Sequence, residues 1–210
     1  MIITQIKRIG NSTKFNVYVD DSWSGVFSDE ILARYHLKTG QEIDEEEFLE
    51  IKKENDEKVS FDIAVGYIEK YVVSEKGVRD YLKKKNFSTN VIDTTIEKLR
   101  NYGYVNDENF ARNYFESMRN SKGKRVIANK LKEKGVAVEI VEQLLENVDD
   151  EGELEKATVL AEKFVKNREN SAKTYQKCIG HLIYKGYDYS VAQQATQVAL
   201  SNKGETDDWI

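Results

Sequence analysis

The chain has no proline in 210 residues, one cysteine and two histidines. Without proline, nothing in the sequence obliges a helix to kink, which suits uninterrupted helices joined by short polar links. A single cysteine, Cys178, excludes an intramolecular disulfide framework. His36 and His181 lie in unrelated contexts, and no Cys/His spacing for a metal is present. No GxxxxGK phosphate loop occurs. No run approaches the roughly 18 apolar residues of a membrane helix. Met1 to Gly10 lacks the apolar stretch of a signal peptide. The expectation is a soluble, cytoplasmic monomer without membrane contact, cofactor or metal. Its reactive groups do not converge as an active site requires, so it is read as a non-enzyme.

What is present is 40% hydrophobic and 33% charged residues with a net charge of −5. That balance fits a folded core under a large solvated surface, as in elongated helical proteins. Residues 2–27 alternate as strands do: Phe15, Val17 and Val19 against Asn16, Tyr18 and Asp20. Gly10-Asn11-Ser12 and Asp20-Asp21-Ser22 are turns, so a small antiparallel meander is expected. Ser28-Asp29-Glu30 then caps a short helix, and Asp44 caps a second carrying Phe48 and Ile51. Between Asp29 and Lys58, 11 acidic residues face 5 basic ones, a net of −6. This surface should turn away from phosphate.

From Ser60 the periodicity is helical and it repeats. Leu82-Lys83-Lys84-Lys85-Asn86-Phe87-Ser88 matches Leu131-Lys132-Glu133-Lys134-Gly135-Val136-Ala137, and both match Leu182-Ile183-Tyr184-Lys185-Gly186-Tyr187-Asp188. Val78, Ile127 and Cys178 keep the same spacing, as do Leu99, Val148 and Ala199. The leading helices match through Ala64, Ala111 and Ala157, and through Tyr71, Met118 and Phe164. Cys178 therefore reads as a packed core thiol, and Tyr67, Tyr71 and Tyr114 as core residues. Each unit is helix, turn, helix, tight turn, helix, with Asn86, Gly135 or Gly186 in the tight turn. The organisation expected is residues 1–58 as a β-meander with short helices and 59–106, 107–150 and 151–201 as three-helix repeats. Residues 202–210, with Trp209, are expected to form a disordered tail. Stacked in tandem, such units should make an elongated, curved, mainly α protein.

The strongest candidate for binding is basic. Arg112, Arg119, Lys122, Lys124, Arg125, Lys130, Lys132 and Lys134 are opposed only by Glu116 and Glu133, a local net of +6. Ser121-Lys122-Gly123-Lys124-Arg125 occupies the turn before the second helix of the middle unit. Free backbone N–H groups at a helix start, flanked by cations, suit phosphate oxygens. The ordinary alternative is a solubilising surface. Asp149-Asp150-Glu151 with Glu153 and Glu155 reads as helix-capping charge rather than a metal site.

Gly103-Tyr104-Val105-Asn106-Asp107-Glu108-Asn109-Phe110-Ala111-Arg112 resembles the hallmark segment of the RecX family. Lys122-Gly123-Lys124-Arg125, followed by Ile127, Leu131 and Lys134-Gly135-Val136, resembles the next block of that family. The opening strands and Leu37-Lys38-Thr39-Gly40-Gln41-Glu42-Ile43 resemble the N-terminal extension of its low-GC Gram-positive members. The resemblance implies a regulator of RecA in recombination, DNA repair and the SOS response. It implies a chain that lodges in the groove of the RecA filament on single-stranded DNA and inhibits recombinase and ATPase activity. Family members are also described as DNA binders, which extends the expected partners to double-stranded DNA. The third unit departs from the pattern, with Asn170-Ser171-Ala172-Lys173 in place of the Lys/Arg cluster. Two other classes compete: a helix-turn-helix DNA-binding protein and a protein-interaction helical repeat. The first is disfavoured by the acidic third helices, with Asp93, Glu97, Glu139, Glu142 and Glu146.

Overall fold

Ile3, Val17 and Phe27, one from each of three short strands, are fully buried and anchor the N-terminal layer. The computed structural model describes residues 1–146 and 150–207. Strands β1 (Ile3–Arg8), β2 (Lys14–Val19) and β3 (Ser22–Ser28) form an antiparallel sheet of order β1-β2-β3, the expected meander. Phe15 pairs with Arg8 on one side and Phe27 on the other. Helices α1 (Asp29–Arg34) and α2 (Glu45–Ile68) follow, capped by Ser28 and Asp44 as their side chains foretell. Phe27, Ile31, Leu37, Ile43, Phe48 and Ile51 close the core on one face of the sheet.

Helix α2 is one unbroken element of 24 residues. The division expected between 58 and 59 therefore falls inside a helix. Its first half serves the sheet, while Val59, Ser60 and Ala64 are buried in its second half. That second half is the leading helix of the first repeat, with α3 (Glu75–Lys84) and α4 (Thr89–Asn101). Residues 1–106 accordingly form one compact unit. Its second core joins Ala64, Val78, Leu82, Ile92, Ile96 and Leu99. Ser60 and Thr95 share a buried hydrogen bond of 2.6 Å across α2 and α4, so neither hydroxyl is stranded.

Residues 107–210 are the second unit. It holds α5 (Asp107–Met118), α6 (Lys124–Glu133) and α7 (Val138–Glu146), then α8 (Asp150–Val165), α9 (Ala172–Lys185) and α10 (Tyr189–Asp207). Burial follows the repeat register: Leu82, Leu131 and Leu182 are each fully buried, as are Val78 and Cys178, with Ile127 at 1% exposure. Asn86, Gly135 and Gly186 all have positive φ, 65°, 84° and 100°, the left-handed turn that this position requires. Tyr71 breaks the pattern. Its repeat partners Met118 and Phe164 are partly buried, but Tyr71 is 58% exposed, and none of Tyr67, Tyr71 and Tyr81 belongs to the core. Residues 202–207, expected as tail, continue α10. Val148, Asp149 and Trp209 lie outside the described residues.

Asn55 is the pin between sheet and helix. It is fully buried in α2, donates from Nδ2 to the Val26 carbonyl at 2.8 Å, and accepts the Ser28 N–H at 2.9 Å. Truncation to alanine strands both backbone groups, at roughly 1–3 kcal/mol each. We expect Asn55→Ala to lower stability in urea unfolding by about 2–4 kcal/mol. A loss under about 1 kcal/mol would contradict this role.

Candidate nucleic-acid and protein interface

Gly123 has no side chain to cap α6, and none can be placed there. A Cβ on Gly123 would lie 2.4 Å from the carbonyl carbon and oxygen of Gly186, on the turn that ends α9. The reciprocal Cβ on Gly186 would meet Val126 at 2.7 Å, and Gly186 also needs its positive φ. The second and third repeats thus touch through bare backbone. The N-terminus of α6 meets the C-terminal turn of α9: the Gly123 N–H donates to the Lys185 carbonyl at 2.9 Å and the Arg125 N–H to the Gly186 carbonyl at 3.2 Å. The exposed donors of one helix satisfy the exposed acceptors of another, and their dipoles align head to tail.

A further donor at this helix start is capped from α8. Glu153 Oε1 accepts the Lys124 N–H at 3.1 Å, and its Oε2 lies 3.4 Å from Lys124 Nζ. The two side chains are only 18% and 10% exposed. Glu153, grouped by sequence with a capping linker, caps a helix of the neighbouring repeat. A cavity of about 10 Å3 sits beside it, lined by Phe115, Arg119, Lys122, Lys124, Lys156 and Tyr187. Burial, and then the Arg119 charge, press the Lys156 ammonium below its ordinary range. Tyr187 is 1% exposed, and its hydroxyl finds no hydrogen-bond partner. Burial raises its pKa to about 12.

This geometry sorts the eight sequence-predicted cations. The start of α6, expected to receive phosphate, has its Gly123, Lys124 and Arg125 N–H groups occupied by protein. Lys124 serves the junction. Arg119 and Lys122 line the cavity beside it, and Arg119 also pairs with Glu116 at 2.8 Å and lies 5.9 Å from the Phe115 ring. Lys130 pairs with Glu133 at 2.8 Å, each holding the other in its charged form. Lys134 lies 5.3 Å from the Tyr114 ring. Arg112, Arg125 and Lys132 are exposed. Arg125 and Lys132 stand seven residues apart, two helical turns, and so share one face of α6 with Asn129 between them.

His181 and Cys178 are packed within the third repeat. His181 stacks on Phe164 at 4.8 Å, and burial pushes its imidazole toward the neutral form. Cys178 is fully buried, and that burial raises its thiol pKa. Among the described residues, no His/Cys/Asp/Glu cluster could hold a metal and no helix is long and apolar enough to cross a membrane.

The arrangement has known counterparts. The model of the second RecX three-helix domain matches residues 106–145, and that of the third matches residues 151–196. Regulatory protein RecX of Listeria monocytogenes serotype 4a is 37% identical over 195 residues, covering 91% of this chain and 72% of that protein. The chain belongs to the RecX family. Regulatory protein RecX of Bacillus pumilus is 34% identical over 97% of this chain and 79% of its own length. A RecX crystal structure superposes with a TM-score of 0.69 over 93% of this chain and 98% of the other, at 22% identity. RecX from Lactobacillus salivarius gives 0.64 at 28% identity, over 69% of this chain and 96% of that one. The match of the second and third RecX domains falls on the two repeats that the Gly123–Gly186 contact joins.

Two outcomes follow for this junction. Gly123→Ala has no room for its methyl group against backbone, so it should part the two repeats. We expect a stability loss of about 2 kcal/mol or more by urea unfolding, against a smaller one for Glu153→Gln, whose amide oxygen still accepts the Lys124 N–H. Tyr187→Phe removes a hydroxyl that has no partner, so stability at neutral pH should change by less than about 1 kcal/mol. With the folded pKa raised from 10.0 to about 12, the Tyr187 contribution is present below pH 10 and is lost as pH rises toward 12. Unfolding between pH 9 and 12 should show a shallower decline in the phenylalanine variant.

Proposed function

We propose that this chain regulates RecA: it binds the RecA filament on single-stranded DNA and inhibits its recombinase and ATPase activities. The observation that carries this reading is the 37% identity to a regulatory RecX protein across 91% of the chain. The hallmark segment from Gly103 to Arg112, which opens α5, supports it at the level of residues.

The contact surface we assign is the exposed part of the basic region, chiefly Arg112, Arg125 and Lys132, with Lys130 and Lys134 beside them. Cations of this kind serve either DNA phosphates or acidic protein surface. Their effect on binding should weaken with salt in both cases. Lys124 is set aside as a binding residue because its charge is spent on Glu153 at 3.4 Å. The exposed side of α4 argues against a recognition helix, since it presents the acidic residues Asp93 and Glu97.

The test is ATP hydrolysis by the cognate RecA on single-stranded DNA, titrated with this protein. We expect inhibition at well below one copy per RecA protomer. Arg125→Glu with Lys132→Glu should shift the titration at least several-fold to higher concentration while helical content is unchanged. Lys124→Glu should instead lower stability. A folded charge-reversed pair that inhibits as well as the parent would remove this face from the mechanism. No inhibition by saturating parent protein would remove RecA.

A further inference from the structure

Three tyrosines of the first repeat form a stack outside its core. Tyr67 of α2 lies parallel to Tyr81 of α3, with ring centroids 4.0 Å apart and an interplanar angle of 14°. Tyr71, in the chain that follows α2, leans on Tyr67 at 5.2 Å. Lys85 closes the other end, its ammonium 5.5 Å from the Tyr81 ring. None of the three rings joins the buried cluster of this unit. Tyr71 is 58% exposed and Val72 beside it 73%.

Three lysines accompany the stack in sequence. Lys70 and Tyr71 stand three and four residues after Tyr67, and Lys84 and Lys85 stand three and four after Tyr81. On α3 those offsets put Lys84 and Lys85 on the face of Tyr81, while Lys70 and Tyr71 lie in the chain just past the end of α2. All three lysines are exposed. By contrast, the two arginines of this repeat are engaged: Arg79 with Glu75 and Asp93, Arg100 with Glu75.

A row of aromatic faces flanked by exposed ammonium groups matches a ligand with flat π surfaces joined by regularly spaced negative charges. We propose that Tyr67, Tyr71 and Tyr81 with Lys70, Lys84 and Lys85 form a binding site for single-stranded nucleic acid. A base stacks on the open face of Tyr71, and the lysines take the flanking phosphates. Stacking of this kind tolerates any sequence, because every base has a π face. Duplex DNA buries its bases and offers only phosphates to this surface. The site is separate from the basic face of α6. It deepens the proposed function by giving the protein its own hold on the single strand, yet its test uses no RecA.

The experiment is fluorescence anisotropy of the full chain with labelled oligonucleotides of equal length: oligo-dT, an abasic strand with the same phosphates, and a duplex. We expect oligo-dT to bind at least about tenfold more tightly than the abasic strand, the order that one stacked base contributes. Tyr71→Ala should erase that preference, and Tyr71→Phe should keep it. Lys84→Ala with Lys85→Ala should weaken oligo-dT and abasic strand alike, and flatten the salt dependence by roughly 0.7 for each phosphate no longer neutralised. Tyr71 is exposed, so its variants should keep the parent circular dichroism. Equal affinity of the parent for oligo-dT and abasic strand, an equal loss of duplex and oligo-dT affinity in Tyr71→Ala, or an unaltered preference in Tyr71→Ala would each overturn the site. None of these results bears on whether the protein inhibits RecA.

Discussion

The contact between two peptide backbones at Gly123 and Gly186 constrains everything around it in the second unit. Because neither position carries a Cβ, the first turn of α6 can approach the last turn of α9 closely enough for direct N–H to carbonyl bonds. Helix ends normally expose such groups to water or to capping side chains. Here the two repeats bond directly, and Glu153 supplies a further acceptor. The position of Lys124, the small cavity, and the burial of Tyr187 all follow from that approach. A pair of three-helix units joined only by apolar side chains could slide. One joined through directional backbone bonds has a defined register.

The consequence for function is a division of labour among residues that look alike in sequence. Eight cations crowd the stretch from Arg112 to Lys134, but only some of them remain available to a partner. Arg119, Lys122 and Lys124 are drawn to the junction around Glu153, whereas Arg125 and Lys132 on α6 stay exposed. Charge density in a sequence counts both kinds equally, whereas affinity for a polyanion depends on the second kind.

The fold was largely legible because its signals are local and repeated. Leu82, Leu131 and Leu182 announce the same buried position three times, and Asn86, Gly135 and Gly186 the same left-handed turn. The cap residues Ser28 and Asp44 place two helix starts correctly. Three features were not legible. The continuity of α2 through Lys58 was hidden because its two halves bury different faces in different cores. The role of Glu153 was hidden because its partner lies 29 residues away. The exposure of Tyr71 was hidden because it shares helical spacing with core residues, although the chain has already left α2 there. The cationic turn misled for a related reason: a glycine before a basic helix start signals close backbone approach, and here what approaches is the protein's own chain.

The proposed regulation of RecA requires that this RecX-family chain bind RecA assembled on DNA. The most direct measurement is co-sedimentation of the protein with preformed RecA filaments on single-stranded DNA, beside RecA alone and the same DNA alone. The account predicts that the filament carries the protein down at concentrations where free RecA does not, and with higher affinity than bare DNA. Equal recovery with bare DNA and with filament would contradict it, and would leave a single-strand binder without a role at RecA.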